Sequence, residues 1–289
     1  MEASRKRHPG EIALGFFLLS HPAPVLFHTI AVTAFVLLAA WPHLSGGTIV
    51  LLVAAHTAMQ LSIAVLNDYC DRRLDAIQKQ DKPIPRGLAY PHEALLLGLF
   101  WIAVMVLLLW PLNLWALLIS FLYLAFGQAY NLGLKATPLS GIVFALAIPL
   151  IPVYAFVGVG HILSIVFWLV PVAALLGVAL NLANSLPDLE GDANSGIRTL
   201  AVVLGVRGTL LACPLLLLSA MLLIALLTVT CVVPAHGEIV LSTLLIAVLG
   251  LVILYAFLRG ERKAGKAYFY GVVMICLVVG GGWLVGVMT

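Results

Sequence analysis

Nine apolar runs with almost no charge divide the chain, and each is close to the length that a helix needs to cross a bilayer. Such a helix takes about 20 apolar residues. Only 9% of the 289 residues are charged, against about 25% in a soluble domain. The pattern predicts an all-α integral membrane protein, with residues 1–289 forming a single polytopic domain of nine transmembrane helices. The predicted spans are roughly 24–42, 47–66, 93–110, 113–130, 139–158, 163–186, 208–233, 239–258 and 268–288.

The positive charges predict how the spans are oriented. The loops near His43, Pro111, His161 and His236 contain no Lys or Arg, whereas the tail and the other loops hold all of them. Because cytoplasmic loops collect Lys and Arg, we expect a multi-pass protein of the cell membrane with a cytoplasmic N-terminus and a C-terminus on the other side. The scattered basic residues predict contact with membrane lipid and none with nucleic acid. They are Arg5, Lys6, Arg7, Arg72, Arg73, Lys79, Lys82, Arg86, Lys135, Arg198, Arg207, Arg259, Arg262, Lys263 and Lys266.

Two segments at the ends of the second and sixth spans carry the pattern Asn-x3-Asp-x3-Asp. On a helix this spacing stacks three oxygen-bearing side chains on one face. Carboxylates four residues apart repel each other, and a cation among them relieves the repulsion. Basic residues follow each cluster, so the pattern indicates a cytoplasmic site for metal ions and a polyanion. The first cluster is Asn67, Asp71 and Asp75, with Asp68 between them, and the second is Asn184, Asp188 and Asp192.

The two motifs form a weak internal repeat. A duplicated bundle would arrange both motif helices around one shared central cavity. Secondary transporters are also built from repeats, so a cation-coupled transporter is the alternative from a different class. Transporter carboxylates should lie near mid-membrane in broken helices. Here they lie at the ends of spans beside basic loops, which favours an enzyme.

The motifs resemble those of the UbiA-type intramembrane prenyltransferases, and the resemblance covers nearly the whole chain. The first reads Asn-Asp-x2-Asp-x3-Asp over 67–75, and a loop with the basic-Pro pair Lys82-Pro83 follows it. The second reads Asp-x3-Asp over 188–192 and continues as Gly-x2-Thr-Leu over 196–200. A Tyr with a nearby Lys, within 130–135, is a third match.

The resemblance implies Mg²⁺-dependent transfer of a prenyl group from an isoprenoid diphosphate to a second molecule. We expect this acceptor to be an aromatic or quinone-precursor molecule. The alternatives within the family are a terpene cyclase, which needs no acceptor, and a lipid or tetrapyrrole prenyltransferase. Lys82 stands where many members have Arg, and Arg198 where many have Lys. Both keep the charge but change the hydrogen-bonding geometry offered to phosphate, which bears on substrate preference.

The resemblance also implies a role for each site residue, with both motifs acting on one diphosphate. Tyr130 either faces the allylic cation or bonds the diphosphate. The implied catalytic residues are Asp71, Asp75, Asp188, Asp192 and Tyr130. The implied diphosphate-binding residues are Asn67, Lys82, Arg86, Lys135, Asn184 and Arg198. The implied Mg²⁺ ligands are Asn67, Asp68, Asp71, Asp75, Asn184, Asp188 and Asp192.

Overall fold

The computed structural model describes residues 7–43, 45–161, 164–260 and 265–289, and every regular element in these ranges is a helix. Of the basic residues used for the orientation, Arg5, Lys6, Arg262 and Lys263, with the side chain of Arg259, lie outside the described residues. The α-helices are α1 Pro9–Leu19, α2 Pro22–Ala40, α3 Gly46–Gln78, α4 Pro91–Leu109, α5 Leu114–Asn131, α6 Ser140–Ala147, α7 Leu150–Val159, α8 Ile165–Ser185, α9 Leu189–Asn194, α10 Leu200–Val229, α11 Gly237–Gly260 and α12 Gly265–Met288. Two short 3-10 turns span Leu134–Ala136 and Leu186–Asp188.

The prediction of nine spans is confirmed, since the described residues contain nine helical stretches long and apolar enough to cross a membrane. Helices α6 and α7 together make one span, and α8 runs on through a 3-10 turn into α9. Two boundaries differ from the expectation. Helix α3 continues beyond 66 to Gln78, so the first motif is itself helical. Helix α10 starts at Leu200, where the Thr199 side chain accepts a hydrogen bond from Val202 N at 3.1 Å and caps the helix. The helix is interrupted at Gly205, whose φ is +69°, so its regular part begins close to the expected 208.

The first compact unit comprises residues 7–32 and 46–132, and α3 is its central helix. Helices α4 and α5 both pack on α3. The backbones approach closely because glycines face large side chains. A Cβ on Gly98 would lie 2.5 Å from Leu66, and one on Gly127 would lie 2.6 Å from Ile63. Small residues allow such close packing between membrane helices.

The second compact unit comprises residues 33–45 and 133–289, and α8 is its central helix. Helices α6, α7, α10 and α12 pack on α8. Gly177 of α8 lies so close to α6 that an added Cβ would come within 2.6 Å of the Phe144 carbonyl oxygen. Phe156 and Trp283 are fully buried in its apolar core. Packing of this kind holds α8 in place, and α8 leads directly into the second motif.

Candidate active site

The first motif lies on the last turns of α3, because that helix runs through it without a break. Asp68 and Asp75 are seven residues apart and share one face of the helix. Both side chains are nearly inaccessible to solvent, with 1% of Asp68 and 4% of Asp75 exposed. Asp71 is half-buried. Two buried carboxylates on one helix face need a cation nearby, since a buried charge is stable only when it is paired.

Lys82 is that cation. Its Nζ lies 2.8 Å from Asp68 Oδ1 and 2.8 Å from Asp75 Oδ2. The loop after α3 turns back through the hydrogen bonds Lys82 N to Lys79 O, at 3.1 Å, and Arg86 N to Lys82 O, at 3.0 Å. Burial acts to lower the pKa of Lys82, but the two carboxylates outweigh burial and raise its pKa above the ordinary value. The ammonium therefore stays charged.

The Asn67 side chain is fixed by a residue that sequence reasoning missed. Asn67 Nδ2 donates to Asn131 Oδ1 at 2.9 Å, which ties α3 to the end of α5. Asn131 is buried, and its own Nδ2 donates to Ile63 O at 3.0 Å and to Gln128 Oε1 at 3.3 Å. With Nδ2 engaged, the oxygen of Asn67 is the atom that can serve a ligand. The only signal in the sequence is that a polar amide, Asn131, stands at the end of an apolar span, directly after Tyr130.

A second missed residue, His21, lies between α1 and α2. Its Nε2 is 3.1 Å from Asp68 Oδ1, a polar contact that is an ion pair when the imidazole is protonated. Sequence reasoning overlooked His21 because it is more than forty positions away from Asp68 in the chain. The only local signal is its place between the apolar run of α1 and the proline that begins α2.

The second motif keeps the spacing of the first without its continuous helix. Helix α8 ends at Ser185, a 3-10 turn spans Leu186–Asp188, and α9 follows. Pro187 explains the break, because proline lacks the N–H group that a helix needs and its ring crowds the preceding turn. The expected stack of three side chains on one α-helix face is therefore realised in the first motif only. Asn184 and Asp188 are exposed, and Asp192 is half-buried.

The structure brings Lys135 and Arg198 close to each other within the second unit. Arg198 N donates to Ala136 O at 3.2 Å, so the segment after the second motif lies against the 3-10 turn that carries Lys135. Ile197 N donates to Asp192 O at 2.9 Å, which ties the same segment to the motif itself. Two predicted diphosphate-binding cations and one predicted carboxylate thus belong to one local structure.

Buried polar contacts hold this segment at its other end. Leu200 N donates to Ser140 Oγ at 3.3 Å, and Ser140 Oγ donates to Asn181 Oδ1 at 3.2 Å. Ser140 and Asn181 are fully buried, so these contacts are screened from water. A Cβ on Gly141 would lie 2.5 Å from Leu200, which leaves the segment little room to shift. These contacts position Arg198 from its C-terminal side.

The remaining predicted residues lie beside these two groups. Arg86 is exposed at the far end of the Lys82 loop, and Tyr130 is half-buried next to Asn131 on α5. Among the residues that the structure describes, no three His, Cys, Asp or Glu side chains are already grouped to hold a metal. The donor types nevertheless fit Mg²⁺, since each motif offers carboxylate and amide oxygens and Mg²⁺ takes oxygen ligands partly from substrate phosphates.

Comparison with known proteins finds digeranylgeranylglyceryl phosphate synthases among the relatives. The digeranylgeranylglyceryl phosphate synthase of Natronomonas pharaonis is 37% identical over 151 residues, covering 50% of this chain and 53% of that protein. That of Thermococcus kodakarensis is 30% identical over 141 residues. The chain spans about half the length of these relatives.

Solved structures resemble nearly the whole chain. A structure of digeranylgeranylglyceryl phosphate synthase has a TM-score of 0.73 at 19% identity, covering 96% of this chain and 99% of that one. This likeness confirms the expected all-helical membrane fold. The match to the UbiA prenyltransferase family extends over residues 26–287. This range includes both motifs and all nine spans, apart from the first four residues of the first span and the last residue of the ninth. The resemblance stated from the motifs is therefore confirmed, and the chain belongs to the UbiA prenyltransferase family.

Proposed function

We propose that this chain transfers a prenyl group from an isoprenoid diphosphate to a glycerol-phosphate lipid, with Mg²⁺ as cofactor. Membership of the family supports the reaction class. The name of the relatives favours the lipid alternative over the aromatic acceptor expected from the sequence. The observation that carries the proposal is Lys82, an ammonium group held by two buried carboxylates beside the Asn-Asp motif.

The residues of the chain bind and orient the diphosphate. Lys82 and Arg86 in the first unit, and Lys135 and Arg198 in the second, donate hydrogen bonds to diphosphate oxygens and favour its departure. Bound Mg²⁺ would neutralise charge on the leaving diphosphate. The residues that would hold it are Asn67, Asp68, Asp71, Asp75, Asn184, Asp188 and Asp192.

The reaction breaks the allylic C–O bond, and the diphosphate leaves with the bonding electrons. An acceptor hydroxyl oxygen forms the new C–O bond, and its proton passes to the departing diphosphate, so the product is an ether. Tyr130 is proposed to face the allylic cation or to bond the diphosphate. The apolar spans accommodate the prenyl tails of both substrates. Arg73, which is exposed, provides charge for the additional phosphate of a lipid acceptor.

The test is product identification with the purified protein in lipid nanodiscs. Labelled prenyl diphosphates of several lengths are incubated with Mg²⁺ and with geranylgeranylglyceryl phosphate, an aromatic acid, or no acceptor. Mass spectrometry should find a new ether only with the glyceryl phosphate, and excess chelator should abolish it. A prenylated aromatic acid would overturn the lipid acceptor. A cyclised product without acceptor would make the chain a terpene cyclase, and unchanged diphosphate throughout would reopen the transporter alternative.

A further inference from the structure

The N-terminal helix α1 is fastened to the loop that carries Lys82. Arg7, just before α1, donates from Nη1 to Leu88 O at 2.8 Å and to Glu93 Oε2 at 2.9 Å, and from Nη2 to Glu93 Oε1. Its guanidinium also lies 3.9 Å from the centroid of the Tyr90 ring. A bidentate pair of this kind, with cation–π stacking, is geometrically restrictive. The start of α1 therefore has a defined place against the end of the loop.

The rest of α1 follows the same loop at close range. Gly15 lies so near the loop backbone that an added Cβ would come within 2.3 Å of the Leu88 carbonyl oxygen. Leu19, in the last turn of α1, is fully buried in an apolar cluster with Val65 of α3, Ala89 and Ala94. Only glycine permits the approach at position 15. Helix α1 therefore contacts the loop at its middle and its end as well as at Arg7.

The packing of α1 against the Lys82 loop determines the position of His21. His21 has φ of +46°, in the left-handed region that non-glycine residues rarely adopt. Such a conformation persists where the surroundings hold it on both sides. Here α1 ends just before His21, and α2 begins just after it, with Val25 N donating to His21 O at 3.2 Å. The conformation directs Nε2 to within 3.1 Å of Asp68 Oδ1.

Asp68 needs this second partner. Its Oδ1 receives the Lys82 ammonium and faces His21, while its buried Oδ2 has no hydrogen-bond partner among the described residues. A buried carboxylate that is left short of donors carries a large desolvation cost. When Lys82 turns toward a substrate, His21 is the side chain that remains at Asp68 Oδ1 among the described residues.

We propose that His21, held in place by α1, is a positioning residue that stabilises Asp68 and so frees Lys82 to bind the diphosphate. The proposal rests on the proposed function, because it assigns Lys82 to the isoprenoid diphosphate. Without His21, Lys82 is the remaining positive partner of the Asp68 carboxylate among the described residues, and Asp68 retains it. His21 thus acts on prenyl diphosphate binding through Asp68, and it leaves acceptor binding unchanged.

The first experiment measures binding of geranyl thiolodiphosphate, an unreactive analogue, by calorimetry on the full chain in nanodiscs with Mg²⁺. We expect His21→Ala to weaken binding by about tenfold, in line with the loss of one partner from a buried charge. His21→Gln, which keeps an N–H donor, should recover most of it. The exposed His43 provides the control, and His43→Ala should bind as the wild type does. In turnover, His21→Ala should raise KM for the prenyl diphosphate and leave KM for the acceptor unchanged.

A second pair of variants tests α1 without touching His21 or Asp68. Gly15→Ala introduces the clash with Leu88 and should weaken analogue binding as His21→Ala does. Gly10→Ala is its control, because a Cβ there meets nothing within 4 Å. Thermal unfolding of each variant shows whether the chain is folded. A variant that unfolds cooperatively but binds the analogue weakly has a displaced α1, whereas one without a transition has failed to fold.

The double variant decides whether His21 acts through Asp68. In an Asp68→Asn background the buried charge is gone, so His21→Ala should cost little further binding. An equal loss in both backgrounds overturns the inference, as does wild-type binding by His21→Ala. If the wild type itself fails to bind the analogue, the proposed function is overturned instead.

Discussion

Lys82 is the residue on which we expect protein stability and, under the proposed function, substrate binding to depend. It alone bridges Asp68 and Asp75 among the described contacts. Lys82→Met would leave two carboxylates buried side by side. Removing one partner of a buried ion pair typically costs about 3–5 kcal/mol. Since 19% of the Lys82 side chain is exposed, we expect a loss near the lower end, roughly 3 kcal/mol, measured by unfolding in detergent.

Lys82→Met should also lose binding of the prenyl diphosphate analogue. Lys82→Arg should stay nearly as stable as the wild type but bind the analogue more weakly. Arginine keeps the charge, but its planar fork meets phosphate differently. Lys266→Met, at an exposed position, is the matched control for loss of one positive charge. Full stability of Lys82→Met would contradict the assigned role.

Asn131 carries the second prediction at this scale. Asn131→Leu keeps the size of the side chain but removes the acceptor of the Asn67 amide. If Asn67 helps to hold Mg²⁺, its loosened amide should raise the Mg²⁺ concentration needed for half-maximal turnover by about 10–100-fold, as loss of a group that orients a metal ligand typically does. A magnesium titration of turnover measures this shift. An unchanged titration would mean that Asn67 does not contact the metal.

The two motif-bearing elements show how far local sequence reasoning extends. Spacing predicted the helical first motif correctly, because nothing in 67–75 opposes the continuation of α3. For the second motif the same spacing predicted a continuous helix, but the structure has a 3-10 turn there, because Pro187 stands between Asn184 and Asp188. That proline was visible in the sequence, and its missing N–H is sufficient to interrupt the helix.

The segment from the second motif to α10 carries a prediction at the scale of the element. Ser140→Ala removes the acceptor of Leu200 N and the donor to Asn181, both in a buried environment. We expect a loss of stability of about 1–3 kcal/mol. Because this segment carries Arg198, binding of the prenyl diphosphate analogue should weaken too.

Ser219→Ala is the control for that experiment. Ser219 is exposed, and its hydroxyl bonds only within its own helix, to Leu215 O at 2.8 Å. Calorimetry and thermal unfolding should show weaker analogue binding and lower stability for Ser140→Ala, and wild-type values for Ser219→Ala. If Ser140→Ala loses stability but binds normally, the segment holds the fold and does not position Arg198 for the substrate.

For the whole molecule, composition predicted the nine spans, because a bilayer sets the length of every helix that crosses it. Motif spacing pointed to the Asn and Asp side chains of the candidate site, and the family resemblance pointed to its basic residues and Tyr130, which stay predictions. His21 and Asn131 escaped prediction because each acts through a contact distant in sequence, to Asp68 and to Asn67. A contact of that kind depends on how helices pack, which periodicity within one helix does not encode.

The orientation in the membrane is the last prediction, and a native cysteine makes it testable. Cys231 is exposed in the turn after α10, whereas Cys213 is buried and Cys70 and Cys276 are half-buried. The loop that contains Cys231 has no Lys or Arg, so the distribution of positive charge predicts that it faces away from the cytoplasm.

A membrane-impermeant maleimide should therefore label intact cells at Cys231, and Cys231→Ala should abolish that labelling. Adding Gln80→Cys to Cys231→Ala places a thiol at an exposed position of the Lys82 loop. This variant should react only after the membrane is permeabilised, because that loop lies among basic residues that stay in the cytoplasm. Labelling of Gln80→Cys from outside intact cells would invert the topology. It would also remove the diphosphate site from the cytoplasm, where Mg²⁺ and phosphorylated substrates are expected, so orientation and proposed function stand on the same measurement.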